Sequence, residues 1–356
     1  MTISQPIPIW LDCDPGQDDA VAIIVATYSP YFNLLGISTV HGNVSLKYTT
    51  SNTLRLLTAL NKTDIPVFPG ETVPLNNYKE VNASYVHGET GLNGSNLLLA
   101  SRMTPKDNKD FLSYLAKQIE TYEGLINIIA TGPLTNMAVF FKEYPHLKSK
   151  IKFLSIMGGG FTKFNVNNNA EFNYYCDPFA AKIIIEDSVL SSRIIQASLD
   201  ITEKIFITDK IQKRVLKGKS VETTSNFRAM LFQLIDSFNK RMLTLNKPNY
   251  KGPVIHDPVA VVALLQFNNI TEEFDFQYKR RKFEISIEPS NYGSIQSVKE
   301  DVEDGIYCLL DLNVDAFWNE VLQIYTFADD NAFMNTLSRD ELIAEYNAED
   351  PDKYGL

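Results

Sequence analysis

The sequence predicts an α/β domain: a mostly parallel, open, Rossmann-like sheet flanked by helices, with its ligand site along the carboxyl ends of the strands. Three observations lead there. Residues 7–11 (IPIWL) are an apolar run of strand length. After them come a turn marked by Pro15-Gly16 and an apolar stretch, residues 20–26, suited to a buried helix. Further strand-length apolar runs recur along the chain, and polar residues fall just after them. In a parallel sheet those positions share one rim, where ligands collect.

Residues 33–39 (NLLGIST) read as the second strand, ending at Val40-His41-Gly42-Asn43. Residues 46–60 carry apolar residues at helical spacing, with Leu54, Leu57 and Thr58 on one side. Residues 66–102 are rich in Gly, Asn and Pro, a stretch long enough to suggest a functional loop, and contain His87-Gly88-Glu89-Thr90-Gly91. Residues 110–122 read as a helix, and 125–130 as a strand that stops at Thr131-Gly132-Pro133. Residues 151–157 read as a further strand, stopped by Gly158-Gly159-Gly160, with a loop on to Ala170-Glu171-Phe172-Asn173. Asp177-Pro178 is a cap followed by proline, a helix start.

Residues 193–199 are the next strand candidate, and helices are expected over 208–217 and 226–245. Ile255-His256-Asp257-Pro258 opens an apolar helix to Phe267. Residues 276–287 and 305–312 alternate like strands, before a helix over 315–326. From Ala328 the composition turns acidic, with Ser338 and Glu341 spaced as a capping box. The expected organisation is one α/β domain over 1–327 and a solvated acidic C-terminal tail over 328–356 with one short helix.

The 356 residues, 44% hydrophobic and 21% charged, suit a globular enzyme. A net charge of −10 argues against nucleic acid or an anionic membrane as partner. Cys13, Cys176 and Cys308 lie in mostly apolar surroundings without metal-type spacing, which fits a reducing compartment. No apolar run approaches about 18 residues, and the first residues lack a basic region and signal-like core. The expectation is a cytoplasmic protein, with the nucleus as the alternative.

Four carboxylates, Asp12, Asp14, Asp18 and Asp19, crowd the first turn and repel one another. A capped helix start accounts for one or two of them, since carboxylates suit the positive end of a helix dipole. Four point to a hard cation. Calcium takes about six to eight oxygen ligands, whereas magnesium keeps more of its waters, so an all-aspartate cluster without histidine or cysteine points to calcium first. Singly, the other polar positions have structural explanations: Thr131 and Asp257 as helix starts, His87 and His256 as satisfied loop histidines, His146 as a surface turn residue. Glu171 and Asn173 would likewise be loop hydrogen-bonders, and Met157 and Phe172 core packing.

Together they match a known pattern. Asp12-Cys13-Asp14-Pro15-Gly16-Gln17-Asp18-Asp19-Ala20 resembles the DxDPGxDDA signature of the calcium-dependent nucleoside hydrolases, or nucleoside N-ribohydrolases. Val86-His87-Gly88, Thr131-Gly132-Pro133-Leu134-Thr135-Asn136, Met157-Gly158-Gly159-Gly160, Ala170-Glu171-Phe172-Asn173 and His256-Asp257-Pro258 resemble its later motifs, in its order. The resemblance runs over residues 7–263, more loosely over 311–318, and the tail lies outside it. Phrases such as Ile7-Pro8-Ile9-Trp10-Leu11-Asp12 look most like fungal uridine nucleosidases.

The resemblance implies Ca2+ held by Asp14, Asp19, Asp257 and the backbone carbonyl of Thr131, with Asp12 in support. It implies Asp18 as the general base that activates a calcium-bound water, and His87 and His256 near the leaving base. Asn43, Asn165, Glu171 and Asn173 would hold the ribose, and Met157 and Phe172 would line the pocket. It further implies a nucleoside substrate, uridine first, with cytidine, inosine or nicotinamide riboside as alternatives, and a homo-oligomeric dimer or tetramer.

The chemistry suits these residue types. Breaking an N-glycosidic bond passes through an oxocarbenium-like ribosyl cation, which nearby negative charge stabilises. Calcium acidifies water less than zinc does, so a carboxylate base is still needed. Two other expectations stand beside this one. Asp12-Cys13-Asp14 after a strand also resembles the start of haloacid-dehalogenase-like phosphohydrolases, and a non-catalytic calcium-dependent nucleoside-binding protein would use the same ligands.

Overall fold

The computed structural model describes residues 5–75, 81–244 and 250–356. The first four residues, residues 76–80 of the stretch read as a functional loop, and the last residue of the helix expected over 226–245 lie outside the described residues. Among the described residues nine strands form one open sheet, in the order β3-β2-β1-β4-β5-β6-β9-β7-β8. They are β1 (Ile7–Cys13), β2 (Phe32–Thr39), β3 (Val67–Pro69), β4 (Asn127–Ala130), β5 (Phe153–Met157), β6 (Ile194–Ala197), β7 (Gln277–Ile285), β8 (Ile295–Glu300) and β9 (Ile306–Asp311). The pairs from β3 through β6 to β9 are parallel. β7 runs antiparallel to both β9 and β8.

β1 is buried along its whole length because both faces of the sheet are covered. Ile9, Leu11 and Cys13 join one core, and Trp10 joins the other. On the first face lie helices α1 (Gln17–Tyr28), α11 (Pro258–Phe267) and α12 (Val314–Asn331), with α11 and α12 packed on α1. The second face holds α4 (Phe111–Thr121), α5 (Thr135–Glu143) and α7 (Pro178–Ile185). Shorter or more peripheral helices are α2 (Leu46–Ala59), α3 (Ser84–His87), α6 (Phe172–Cys176), α8 (Leu199–Thr202), α9 (Asp209–Val215), α10 (Asn226–Thr244) and α13 (Arg339–Asn347).

The chain leaves β1 toward β2 on one side, while β4 lies on the other. This reversal opens a crevice at the carboxyl end of β1, where doubly wound sheets bind ligands. Asp12 sits in register with Ser38 of β2 and Ala130 of β4, so Asp14, the turn after β2 and Thr131 reach the same rim.

Several elements differ from the sequence expectation. β3 falls inside the stretch read as a long loop, and β8 was not anticipated because residues 295–300 are mostly polar and exposed. It forms only the edge of a hairpin with β7. The acidic segment, expected to be solvated, is packed. Ser338 and Glu341 do form the capping box of α13, but Leu342 and Met334 are fully buried. Glu349 accepts hydrogen bonds from the Ser101 N–H and the Ser51 hydroxyl, both at 2.9 Å. α12 itself continues to Asn331, past the onset of the acidic composition.

Candidate active site

The acidic turn forms because β1 ends at Cys13 and α1 begins at Gln17, with Gly16 as its N-cap. Asp19 closes the capping box: its Oδ2 accepts the Gly16 N–H at 3.0 Å. The helix-start explanation therefore covers one of the four aspartates. Asp12 is buried against the second core, its Oδ1 accepting from Ser38 Oγ at 2.5 Å and from Asn136 Nδ2 at 2.7 Å.

Asp14 Oδ2 accepts the Asn43 N–H at 2.7 Å, and Asn43 Nδ2 donates to the Asp14 carbonyl at 3.1 Å and to Asp19 Oδ2 at 3.3 Å. Two glycines make room for Asp14. A Cβ on Gly42 would lie 2.1 Å from its Oδ2, and one on Gly132 would lie 2.6 Å from its Oδ1. Thr131 Oγ1 donates to Asp19 Oδ1 at 2.9 Å.

Asp257 corrects the structural reading of the cap-and-proline helix start. It precedes α11, yet its side chain makes no cap hydrogen bond. Its carboxylate joins those of Asp18 and Asp19, with ligand-type oxygens all within 4.8 Å of one another. Asp14 is not one of that three. Asp12 Oδ2, Asp14 Oδ1 and Asp18 Oδ1 are buried without a hydrogen-bond partner among the described residues. Native proteins seldom leave such atoms unsatisfied. Burial, and then the charge of Asp19, pushes Asp18 up to about 7. Burial drives Asp14 and Asp257 well above the usual carboxylate range, with neighbouring aspartates adding to it. Uncompensated carboxylates of this kind, with only oxygen donors around them, fit a hard cation.

Above the cluster is a cavity of about 730 Å³. It is lined by Asp18, Asn43, His87, Thr131, Met157, Asn165, Glu171, Phe172, Asn173, His256 and Asp257, so the sequence-predicted residues converge on one space. Asp14 and Asp19 lie beside them, off the cavity wall. Glu171 is the N-cap of α6, its carboxylate accepting N–H groups from Asn173, Tyr174 and Gly159, while burial raises its pKa. Asn173 Nδ2 donates to the carbonyls of Thr131 at 2.8 Å and Met157 at 3.1 Å. Asn165 Oδ1 accepts the Phe172 N–H at 2.9 Å.

His256 Nδ1 lies 2.7 Å from Thr202 Oγ1, and its backbone N–H donates to Asp18 Oδ2 at 3.4 Å. His87 stacks on Phe238 with ring centroids 5.7 Å apart. His146 is exposed in a turn, as expected. His41 is bound to Thr135 and does not line the cavity. Sequence reasoning did not single out Tyr85, Phe206, Phe238, Met242 or Tyr250, which form the apolar wall. Isolated aromatics and a methionine on α3, on α10 and on loops carry no motif; only their place on the wall identifies them.

The chain is similar to known proteins. The family model described as inosine-uridine preferring nucleoside hydrolase matches residues 9–319. The chain is 36% identical to the uridine nucleosidase of Saccharomyces cerevisiae over 92% of this chain and 98% of the relative. It is also 36% identical to the pyrimidine-specific ribonucleoside hydrolase RihA of Escherichia coli, over 73% of this chain and 80% of that one. A solved plant nucleoside hydrolase superposes with a TM-score of 0.77 at 27% identity, covering 90% of this chain and 99% of its own. A purine-preferring ribonucleoside hydrolase from Gardnerella vaginalis shares the fold, with a TM-score of 0.79 at 24% identity over 91% of this chain and 99% of its own.

Proposed function

The chain belongs to the inosine-uridine preferring nucleoside hydrolase family, and from that premise we propose that it hydrolyses the N-glycosidic bond of ribonucleosides, uridine foremost, to ribose and free base. The observation that carries this reading is the meeting of Asp18, Asp19 and Asp257 beside the cavity whose wall includes Asn43, Glu171 and Asn173. The uridine preference rests on the likeness to the yeast uridine nucleosidase and the pyrimidine-specific hydrolase.

Asp14, Asp19, Asp257 and the Thr131 carbonyl would hold calcium, a choice supported by the oxygen-only donors and the unsatisfied buried oxygen of Asp14. When bound, calcium supplies positive charge that offsets the carboxylates and orients water and the sugar hydroxyls. Asp18 accepts the proton of the attacking water; its buried Oδ1, without a hydrogen-bond partner among the described residues, supports that role. The ionised cluster stabilises the ribosyl cation that develops as the bond breaks. Asn43, Asn165, Glu171 and Asn173 grip the ribose, Met157 and Phe172 close the pocket around it, and His256 and His87 face the departing base. The phosphohydrolase reading is not favoured: Asp12, its required nucleophile, is absent from the cavity wall and held by Ser38 and Asn136.

A homo-oligomeric state and a cytoplasmic location belong to the same proposal; the first rests on the family resemblance, the second on cysteines in apolar surroundings without metal-type spacing. No helix among the described residues is long and apolar enough to cross a membrane. The test is ribose release by purified protein with calcium over a nucleoside panel. Uridine should be cleaved far faster than 2′-deoxyuridine, since an absent hydroxyl leaves buried polar groups unpaired at about 1–3 kcal/mol each. Failure to release ribose from any nucleoside would overturn the reading, and a nucleoside bound but recovered intact would favour the binding-protein alternative.

A further inference from the structure

Gln17 is the unspecified position of the acidic turn, yet its side chain is buried and fully engaged. Its Nε2 donates to the carbonyl of His87 at 3.1 Å and to that of Asn93 at 3.3 Å. Its Oε1 lies 2.6 Å from His87 Nδ1. Carbonyls can only accept, so they orient the amide with Nε2 toward them. Oε1 is then the atom facing the imidazole, and it too can only accept. The proton must therefore sit on Nδ1 of His87. The ring is also held in place, between Phe238, on which it stacks, and Gly16, where a Cβ would come within 2.4 Å of Nδ1.

A neutral imidazole has one donor and one acceptor nitrogen. With Nδ1–H committed to Gln17, Nε2 is the acceptor, and it has no hydrogen-bond partner among the described residues. The ring lines the cavity.

We infer that Gln17 is a positioning residue that fixes His87 in its Nδ1–H form, so that Nε2 recognises an N–H or O–H donor of the nucleoside instead of protonating the leaving base. The inference rests on the nucleoside hydrolase reading above. Protonation of His87 would restore a donor, but burial, with His256 and Arg241 nearby, lowers its pKa to about 3. Two donors on uridine suit Nε2: the ring N3–H and the ribose 5′-hydroxyl. Cytidine offers an acceptor at N3, so a contact to the base would also favour uridine over cytidine.

The test combines 15N-histidine NMR with steady-state kinetics on uridine, 3-methyluridine and 5′-deoxyuridine, for wild-type protein and Gln17→Met. The wild-type His87 ring should carry its proton on Nδ1, a measurement that needs no variant. One of the two analogues should show kcat/KM lower by about tenfold, the scale of one lost hydrogen bond, and which one it is identifies the donor. Gln17→Met should populate both tautomers and shrink that discrimination. Its effect on uridine should fall on KM more than kcat, as for a contact made equally in ground and transition states. A wild-type proton on Nε2, unchanged discrimination in Gln17→Met, or a loss confined to kcat would overturn the inference. Absence of turnover on uridine would instead sink the hydrolase reading, while the NMR result still decides the tautomer.

Discussion

The backbone N–H of His256 donates to Oδ2 of Asp18 at 3.4 Å, although 238 positions separate the two residues. This contact joins the first turn of α1 to the start of α11, while Asp18 Oδ1 is buried without a hydrogen-bond partner among the described residues. It engages one oxygen of Asp18, and the proposed proton transfer is assigned to the carboxylate so held.

Asp18→Asn should therefore lower kcat by at least about 10²-fold, within the range for a lost general base. Asparagine keeps the shape and an oxygen toward the His256 N–H, so nucleoside affinity should change little. Single-turnover kinetics at saturating calcium, with metal content measured on the same samples, is the check. Retention of a tenth or more of wild-type kcat would remove Asp18 from the base role.

Gly42→Ala should act on the proposed metal site without replacing any of its proposed ligands. The new Cβ would sit 2.1 Å from Asp14 Oδ2 and force that carboxylate away from the Asn43 N–H. Calcium affinity should fall by about tenfold or more, equivalent to losing one hydrogen bond to a charged group. Calcium titration by calorimetry gives the answer, and wild-type affinity in the variant would contradict the cradle.

The metal-free protein should lose stability as pH rises. Asp12 and Asp18 are held near 7 in the folded chain by burial, against about 3.9 in the unfolded chain. Below about pH 4 both states carry the protons and this contribution is fully present. Between about pH 4 and 7 the unfolded chain ionises first, so folding weakens with a slope set by the proton difference. Calcium binds the ionised form and should reverse the trend near neutral pH. Melting curves with chelator and with calcium across this window test it; a flat chelated profile would count against the buried cluster.

Leu342→Ala should destabilise the fold by about 2–5 kcal/mol, the cost of deleting a buried leucine side chain. Leu342 lies on α13, away from the cavity-lining residues, so kcat at low temperature should be unchanged. Urea unfolding measures the first, and an effect below about 0.5 kcal/mol, typical of surface positions, would mean the acidic segment is not part of the folded body.

Much of the fold was legible in the chain because it is written in short-range chemistry. The apolar run of β1, the Pro15-Gly16 turn and the capping box at Ser338 each rest on neighbours within a few residues. The polar residues at strand ends could be assigned to one rim for the same reason, since parallel strands share a direction. β8 was missed because an edge strand packs little, so its polar sequence carries no apolar alternation.

By itself the sequence determined the α/β class, the acidic turn and the set of polar residues around it. Residue types alone made Asp257 a helix cap and only the resemblance set it beside Asp19; the tertiary structure decided that its carboxylate makes no cap bond and lies with Asp18 and Asp19. It also decided that Tyr85, Phe206, Phe238 and Tyr250 form one wall, that Glu349 ties the acidic segment to Ser51 and Ser101, and that Gln17 meets His87. The physical reason is the range of the forces involved. Backbone preferences and hydrophobic periodicity act over a few residues and leave a local imprint. Which side chains meet across 70 or 238 positions depends on which faces the sheet and helices bring together, and on buried polar atoms finding partners there.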